Sequence, residues 1–184
     1  MYGQHFRHYA SYPARGIYFV SIDLSDAYYC IAMHILSIPY LTFFFLNVYY
    51  QFTCLPQGLS SAPRIFTKVV RVVLAYLRYG GIRISAWIDD SLIAATSKSL
   101  CQEHAFRSVR TFEELGFVVN KSKSQLSPVQ KIAHLGLVWD SIEFSVSVPS
   151  DKIADVRSKC CEALSSYVKV WFLSSILGKI EYFR

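Results

Sequence analysis

Asp89 and Asp90 stand side by side in the otherwise apolar run SAWIDDSLI (85–93). Carboxylates repel one another, and burying even one is costly. A third carboxylate, Asp23, lies near the end of GIYFVSIDL (16–24), where Tyr18, Val20, Ile22 and Leu24 share one face and Phe19, Ser21 and Asp23 the other. If these segments are neighbouring strands, three acidic groups meet at one sheet end. Such a cluster takes up protons unless a counter-charge relieves it. Hard divalent cations do so: Mg²⁺ takes one or two carboxylates together with substrate phosphate oxygens, and two such ions about 3.5–4 Å apart drive in-line phosphoryl transfer. The plainer reading is a solvated Asp–Asp turn and an Asp cap after a strand, so the flanking elements must decide.

Those elements read as follows. Residues 16–24 form a strand. TFFFLNVYYQFTCL (42–55) is an aromatic hairpin broken at Asn47, and IPYLTFFFL (38–46) is expected to be a core strand. A Pro/Gly/Ser loop, PQGLSSAP (56–63), leads to a helix over 62–79, with Ser61 as N-cap, Pro63 in the first turn and Gly80–Gly81 as the stop. Its apolar positions are Ile65, Phe66, Val69, Val70, Val73, Leu74 and Leu77. From Ile82 the period becomes two, and the short polar DDS between ISAWI and LIAAT signals a hairpin. A helix over 99–115 presents Phe106, Val109, Phe112 and Leu115 as its stripe. FVV (117–119), IAHLGLVWD (132–140) and FSVSV (144–148) are strands, with the basic loop NKSKS (120–124) after the first, and helices are expected over 151–168 and from 174. The order predicts an α+β layer with an antiparallel sheet.

The bulk composition agrees. The 184 residues are 53% hydrophobic and 17% charged, which supports a large core and argues against disorder. A net charge of +6 fits a polyanionic partner. Five cysteines at irregular spacing, with no CxxC pair, argue against zinc and against a disulfide framework and predict reduced thiols. His5 and His8 read as solvated. No run approaches the roughly 20 apolar residues of a membrane span, so no membrane partner is expected. An intracellular site, cytoplasm or nucleus, is expected.

SIDLSDAYYCI (21–31), LPQGLSSAPRIFTK (55–68), WIDDSLI (87–93), LGFVVNKSKSQLSP (115–128) and HLGLVWD (134–140) occur in the order of the reverse-transcriptase palm motifs. The chain resembles the palm, with part of the fingers, of a retroelement reverse transcriptase. LPQGLSSAPRIFTK and VPSDKIADV are most similar to retrotransposons that carry a tyrosine recombinase (DIRS-like elements). The resemblance implies RNA-directed DNA polymerase activity with two Mg²⁺ ions, Mn²⁺ being a possible substitute, on an RNA or DNA template with a primer and dNTPs. It divides the chain into a fingers remnant (1–15), a palm with fingers (16–148) and the start of a thumb or connection (149–184).

By this resemblance Asp23 and Asp89 are the main metal ligands, Asp90 completes the acidic cluster and the Leu24 carbonyl adds a ligand. Asp26 and Ala27 offer backbone N–H groups to the incoming triphosphate; a simple cap is the alternative for Asp26. Tyr28 matches the steric gate where a ribose 2′-OH would sit, and Gln57 lies near the nucleotide sugar. Arg64 and Lys68 are backbone-phosphate contacts or plain solvated surface. Lys123 is placed to protonate departing pyrophosphate, with Lys121 as its competitor. Leu135, Gly136 and Leu137 mark the primer-grip turn. Trp87 stands where the family usually has Tyr beside the primer end. The chain is expected to be a fragment of a polyprotein whose fingers and ribonuclease H segments lie elsewhere, and a palm remnant that only binds nucleic acid is the rival expectation.

Overall fold

The computed structural model describes residues 15–165 and 167–182; His5, His8 and nearly all of the expected 1–15 segment fall outside them. The main sheet runs β4 (Arg83–Trp87), β5 (Asp90–Ala95), β1 (Tyr18–Ser25), and then β6 (Val118–Val119) and β7 (Gln125–Val129) along the same far edge of β1. Every pairing is antiparallel. This is the α+β architecture that the sequence predicts.

The two-residue alternation of β1 sorts its side chains to opposite faces. Val20, Ile22 and Leu24 enter the main core with Ile84, Ile93 and Ala95. Two helices cover that face, α1 (Ala62–Tyr79) and α2 (Lys98–Glu114), through Phe66, Val70, Val73, Leu77, Cys101, Ala105 and Phe112. α1 ends as expected: Gly81 takes φ 83° and the Ile82 N–H reaches back to the Leu77 carbonyl at 3.1 Å, the reach-back bond of a glycine-terminated helix. Ser61 precedes α1, but its side chain makes no capping bond.

The opposite face carries Phe19, Leu92 and Ala94, which pack with Ile17 and Ile132 in a second small core flanked by Val129 and Trp139. Its cover is a three-stranded sheet of β8 (Lys131–His134), β9 (Leu137–Asp140) and β10 (Ser145–Ser147). Buried Ser141 fastens this cover to the start of β1, donating its hydroxyl to the Ile17 carbonyl at 2.6 Å while the Gly16 N–H donates to the Ser141 carbonyl at 2.9 Å. Two further helices, α3 (Ser150–Ser165) and α4 (Val170–Tyr182), pack on each other, and Asp155 pairs with Lys159 and Lys179 between them.

Three expectations need correction. IPYLTFFFL is not a core strand: residues 38–41 form a short 3₁₀ turn, and among the described residues β2 (Thr42–Phe45) pairs only with β3 (Val48–Gln51), with Phe44 57% and Tyr49 77% exposed. The turn at Leu46–Asn47, both at positive φ, does fall where Asn47 signals it. The buried face of α2 is Cys101, His104, Ala105, Ser108 and Phe112; of the predicted stripe, Phe106 and Leu115 are exposed. The inward face thus carries Ala105 and Ser108 beside the larger His104 and Phe112, while Phe106 points to solvent. β7 is an added strand, hidden by Pro128 because proline usually argues against a strand; the proline falls where the pairing with β1 shifts register.

Candidate active site

Strand register brings two of the three acidic residues together. Asp23 of β1 lies directly opposite Asp90 of β5, and Asp90 lies opposite Trp87 of β4. Residues opposed across an antiparallel pair project to one face, so Trp87, Asp90 and Asp23 form a row across three strands. It is the face that carries Phe19 and Leu92, away from the helices. Trp87 and Asp90 close the hairpin, so its turn is Ile88–Asp89, one residue earlier than the DDS signal places it. Ile88 takes φ 54°, a conformation that costs a β-branched residue strain. The Asp89 carbonyl accepts the Leu24 N–H at 3.0 Å, which ties the turn to β1 beside Asp23.

The electrostatics tie the same groups together. The Asp23 carboxyl is held above its ordinary range, first by burial and then by the negative charges of Asp89 and Asp90, with Lys123 opposing the rise. The loop that carries Lys123 is pinned on β1: the Asn120 N–H donates to the Asp23 carbonyl at 2.8 Å, and the Ser124 hydroxyl accepts the Asp23 N–H at 3.0 Å. Lys121 and Lys123 are both exposed, but Lys123 is the one that acts on the Asp23 charge. Asp90 has a second neighbour absent from the sequence reading: the Nδ1 of buried His134 lies 3.2 Å from its Oδ1.

Tyr28 sits in a 3₁₀ turn (Ala27–Cys30) just after β1, its ring edge-on to buried Phe66 at 5.2 Å. Burial raises its phenol above the ordinary range, and the Asp89 charge adds to the rise, so the ring stands beside the acidic corner. Asp26 takes φ 50° and makes no side-chain capping bond, so it does not act as a side-chain cap; Ala27 is buried. Gln57 is exposed in its loop, next to Gly58 at φ 86°.

Arg64 and Lys68 are exposed on α1, and Arg71 extends their stripe at i, i+4, i+7 spacing, a signal readable in the sequence. Leu135 and Gly136, at φ 48° and 74°, form the turn of the β8–β9 hairpin, whereas Leu137 is buried as the first residue of β9 and presents no side chain at the turn surface.

The donor set is chemically suited to a hard cation: half-exposed carboxylate oxygens whose mutual repulsion a divalent charge would relieve. Among the described residues no group of three or more His, Cys, Asp or Glu side chains closes on a common point. The arrangement is therefore an open one, suited to a cation that takes one or two carboxylates and leaves its remaining positions to other oxygens.

Comparison with known proteins adds the lineage. The profile of the family described as "Reverse transcriptase (RNA-dependent DNA polymerase)" matches residues 3–139, about three quarters of the chain. The Gag-Pol polyprotein of feline leukemia virus is 28% identical over 134 residues, and that of koala retrovirus 27% over 135; these stretches cover 67% and 69% of this chain. The chain spans only 8% of either polyprotein. Among solved structures, a foamy viral protease-reverse transcriptase in complex with RNA/DNA hybrid superposes with a TM-score of 0.77 at 23% identity, over 91% of this chain and 21% of that one. The same enzyme type in complex with double-stranded DNA gives a TM-score of 0.79 at 23% identity, over 93% of this chain and 28% of that one. At this identity the likeness concerns the fold.

Proposed function

This chain belongs to the reverse transcriptase (RNA-dependent DNA polymerase) family, and on that premise we propose that it is the polymerase palm of a retroelement, extending a primer by template-directed addition of dNTPs. The observation that carries this is the register pair Asp23–Asp90 with Asp89 at the adjoining turn, set beside Lys123. Mg²⁺, or Mn²⁺ in its place, would be held by Asp23 and Asp89, with Asp90 and the Leu24 carbonyl completing the set, and would neutralise charge on the phosphates. The rest falls to the chain itself. The N–H groups of Asp26 and Ala27 face the triphosphate, and the left-handed backbone at Asp26 supports that role. Tyr28, braced on Phe66, excludes a ribose 2′-OH, and Gln57 hydrogen-bonds near the sugar. The primer 3′-hydroxyl loses its proton to solvent as its oxygen bonds the α-phosphorus, the α–β phosphoanhydride bond breaks, and Lys123 gives a proton to the departing pyrophosphate. Arg64 and Lys68 hold template phosphates. Trp87 and the Leu135–Gly136 turn support the primer end, with buried Leu137 anchoring that turn from within.

Residues 16–148 are the palm with part of the fingers, and α3 and α4 begin a thumb. In support, neither helix contributes a residue to the two hydrophobic clusters of the body. The finer lineage we propose is the DIRS-like one, on LPQGLSSAPRIFTK and VPSDKIADV; a tyrosine-recombinase gene in the flanking sequence tests it. The fingers and ribonuclease H segments would come from the rest of a polyprotein. A second reading, a palm that binds nucleic acid without catalysis, is favoured by the acidic side chains not closing as a group of three.

Primer extension on an RNA template separates the two readings. Incorporation by the wild type and none by Asp89→Asn supports the polymerase. Failure of both, with filter binding retained, supports the binding remnant.

A further inference from the structure

We infer that His134 is a positioning residue for Asp90, locking that carboxylate to the β8–β9 hairpin so that the acidic corner and the Leu135–Gly136 turn move as one body. Asp90 projects to the face that β8, β9 and β10 cover, since Phe19 and Leu92 on that face pack against Ile132 of β8. The His134 side chain is 1% exposed, and its Nδ1 stands 3.2 Å from Asp90 Oδ1. The two atoms are in direct contact within the covered face.

The imidazole is held from behind. His134 pairs with Leu137 across the tight turn, both turn residues are left-handed, and the His134 carbonyl accepts the Trp139 indole N–H at 3.4 Å. Ile132, two residues before it, is rooted in the second core. Asp90, by contrast, has a side chain that is 32% exposed and stands across from the crowded Asp23. The His134 contact bears on which way that carboxylate turns. Outer partners of this kind set the orientation of a ligating carboxylate, and losing one typically costs about 10–100-fold in metal affinity. The consequence for a cation rests on the polymerase reading; the contact itself does not.

Two measurements on the full chain test this. In a ¹⁵N-histidine-labelled sample, Asp90→Asn is expected to shift the ring-nitrogen signals of His134, whereas Asp26→Asn, at an exposed position, leaves them in place. Signals unmoved by Asp90→Asn overturn the inference. Free Mn²⁺ followed by electron paramagnetic resonance then reads the effect on the corner. Asp23→Asn is expected to weaken Mn²⁺ binding strongly and His134→Phe about 10-fold. His134→Asn, whose side-chain N–H₂ falls where Nδ1 was, restores most of the loss. Binding lost in Asp23→Asn but equal in wild type and His134→Phe sinks the positioning role alone. Binding indifferent to Asp23 sinks the polymerase reading, and the ring-nitrogen result still decides the role of His134.

Discussion

The turn that carries Asp89 offers a test by sign. Ile88 stands at φ 54°, and a side chain with a Cβ in the left-handed region pays about 1–2 kcal/mol. Glycine pays no such cost there but loses roughly 0.5–1 kcal/mol more backbone entropy on folding than alanine does. Ile88→Ala keeps the conformational cost and loses the contact that half-buried Ile88 makes with the main core. Ile88→Gly loses the same contact and relieves the conformation. Glycine is therefore expected to be the more stable of the two by about 0.5–1 kcal/mol, the reverse of their order within helices and strands. Urea unfolding with a shared slope measures this, and in a domain of this size 1 kcal/mol moves Tm by roughly 2–4 °C. If the alanine variant equals or exceeds the glycine variant, the turn is not strained at Ile88. The glycine variant is also expected to lose primer-extension activity, because a relaxed turn no longer fixes Asp89.

Further outcomes follow from the charges. Burial and its acidic neighbours hold the Asp23 pKa up in the folded chain, so between the ordinary value of 3.8 and the raised one the folded chain binds more protons and stability falls as pH rises. Asp23→Asn should then melt higher than wild type at pH 7 without divalent ions, the gap closing as pH falls to 3.8; equal melting at pH 7 would refute the crowding. His104 is buried on α2 and its pKa is pushed down, chiefly by burial, so the unfolded chain takes up a proton first and stability falls as pH drops through 6.5. His104→Leu should flatten that part of the stability–pH curve, and an unchanged slope counts against it. Arg71→Gln should lower the slope of log affinity against log salt by about 1 for a primer–template duplex if Arg71 meets a phosphate, as should Lys68→Gln; an unaltered slope leaves Arg71 as solvated surface.

The local periodicities carried most of this architecture. The alternation in GIYFVSIDL sorted β1 into a helix-facing and an acid-bearing face, and both faces exist. The helix over 62–79 and the break at Asn47 were equally readable. What failed depended on partners distant in sequence. Nothing local tells Phe43–Phe45 that their strand will pair with a single neighbour and miss the main sheet. Nothing local makes Ser108 face inward and Phe106 outward, since that follows from which side of α2 meets the sheet. In the candidate site, Asp23 and Asp89–Asp90 were visible as types and positions, but the register that opposes Asp23 to Asp90 was not. His134 was invisible because its neighbour, Asp90, lies 44 positions away along the chain.

The aromatic ribbon of β2 and β3 has a consequence for handling the chain. From Ala27 to Pro63 there is no Asp, Glu, Lys or Arg, and the ribbon lies in the middle of that neutral tract with Phe44, Phe45 and Tyr49 in solvent. Among the described residues neither outer edge of the ribbon pairs with a further strand, and no gatekeeper charge, bulge or proline lies within the two strands to turn a visitor away. The isolated chain should thus be adhesive toward its own kind, adding strand to strand as concentration climbs, and a lysine at position 44 or 49 is the economical cure.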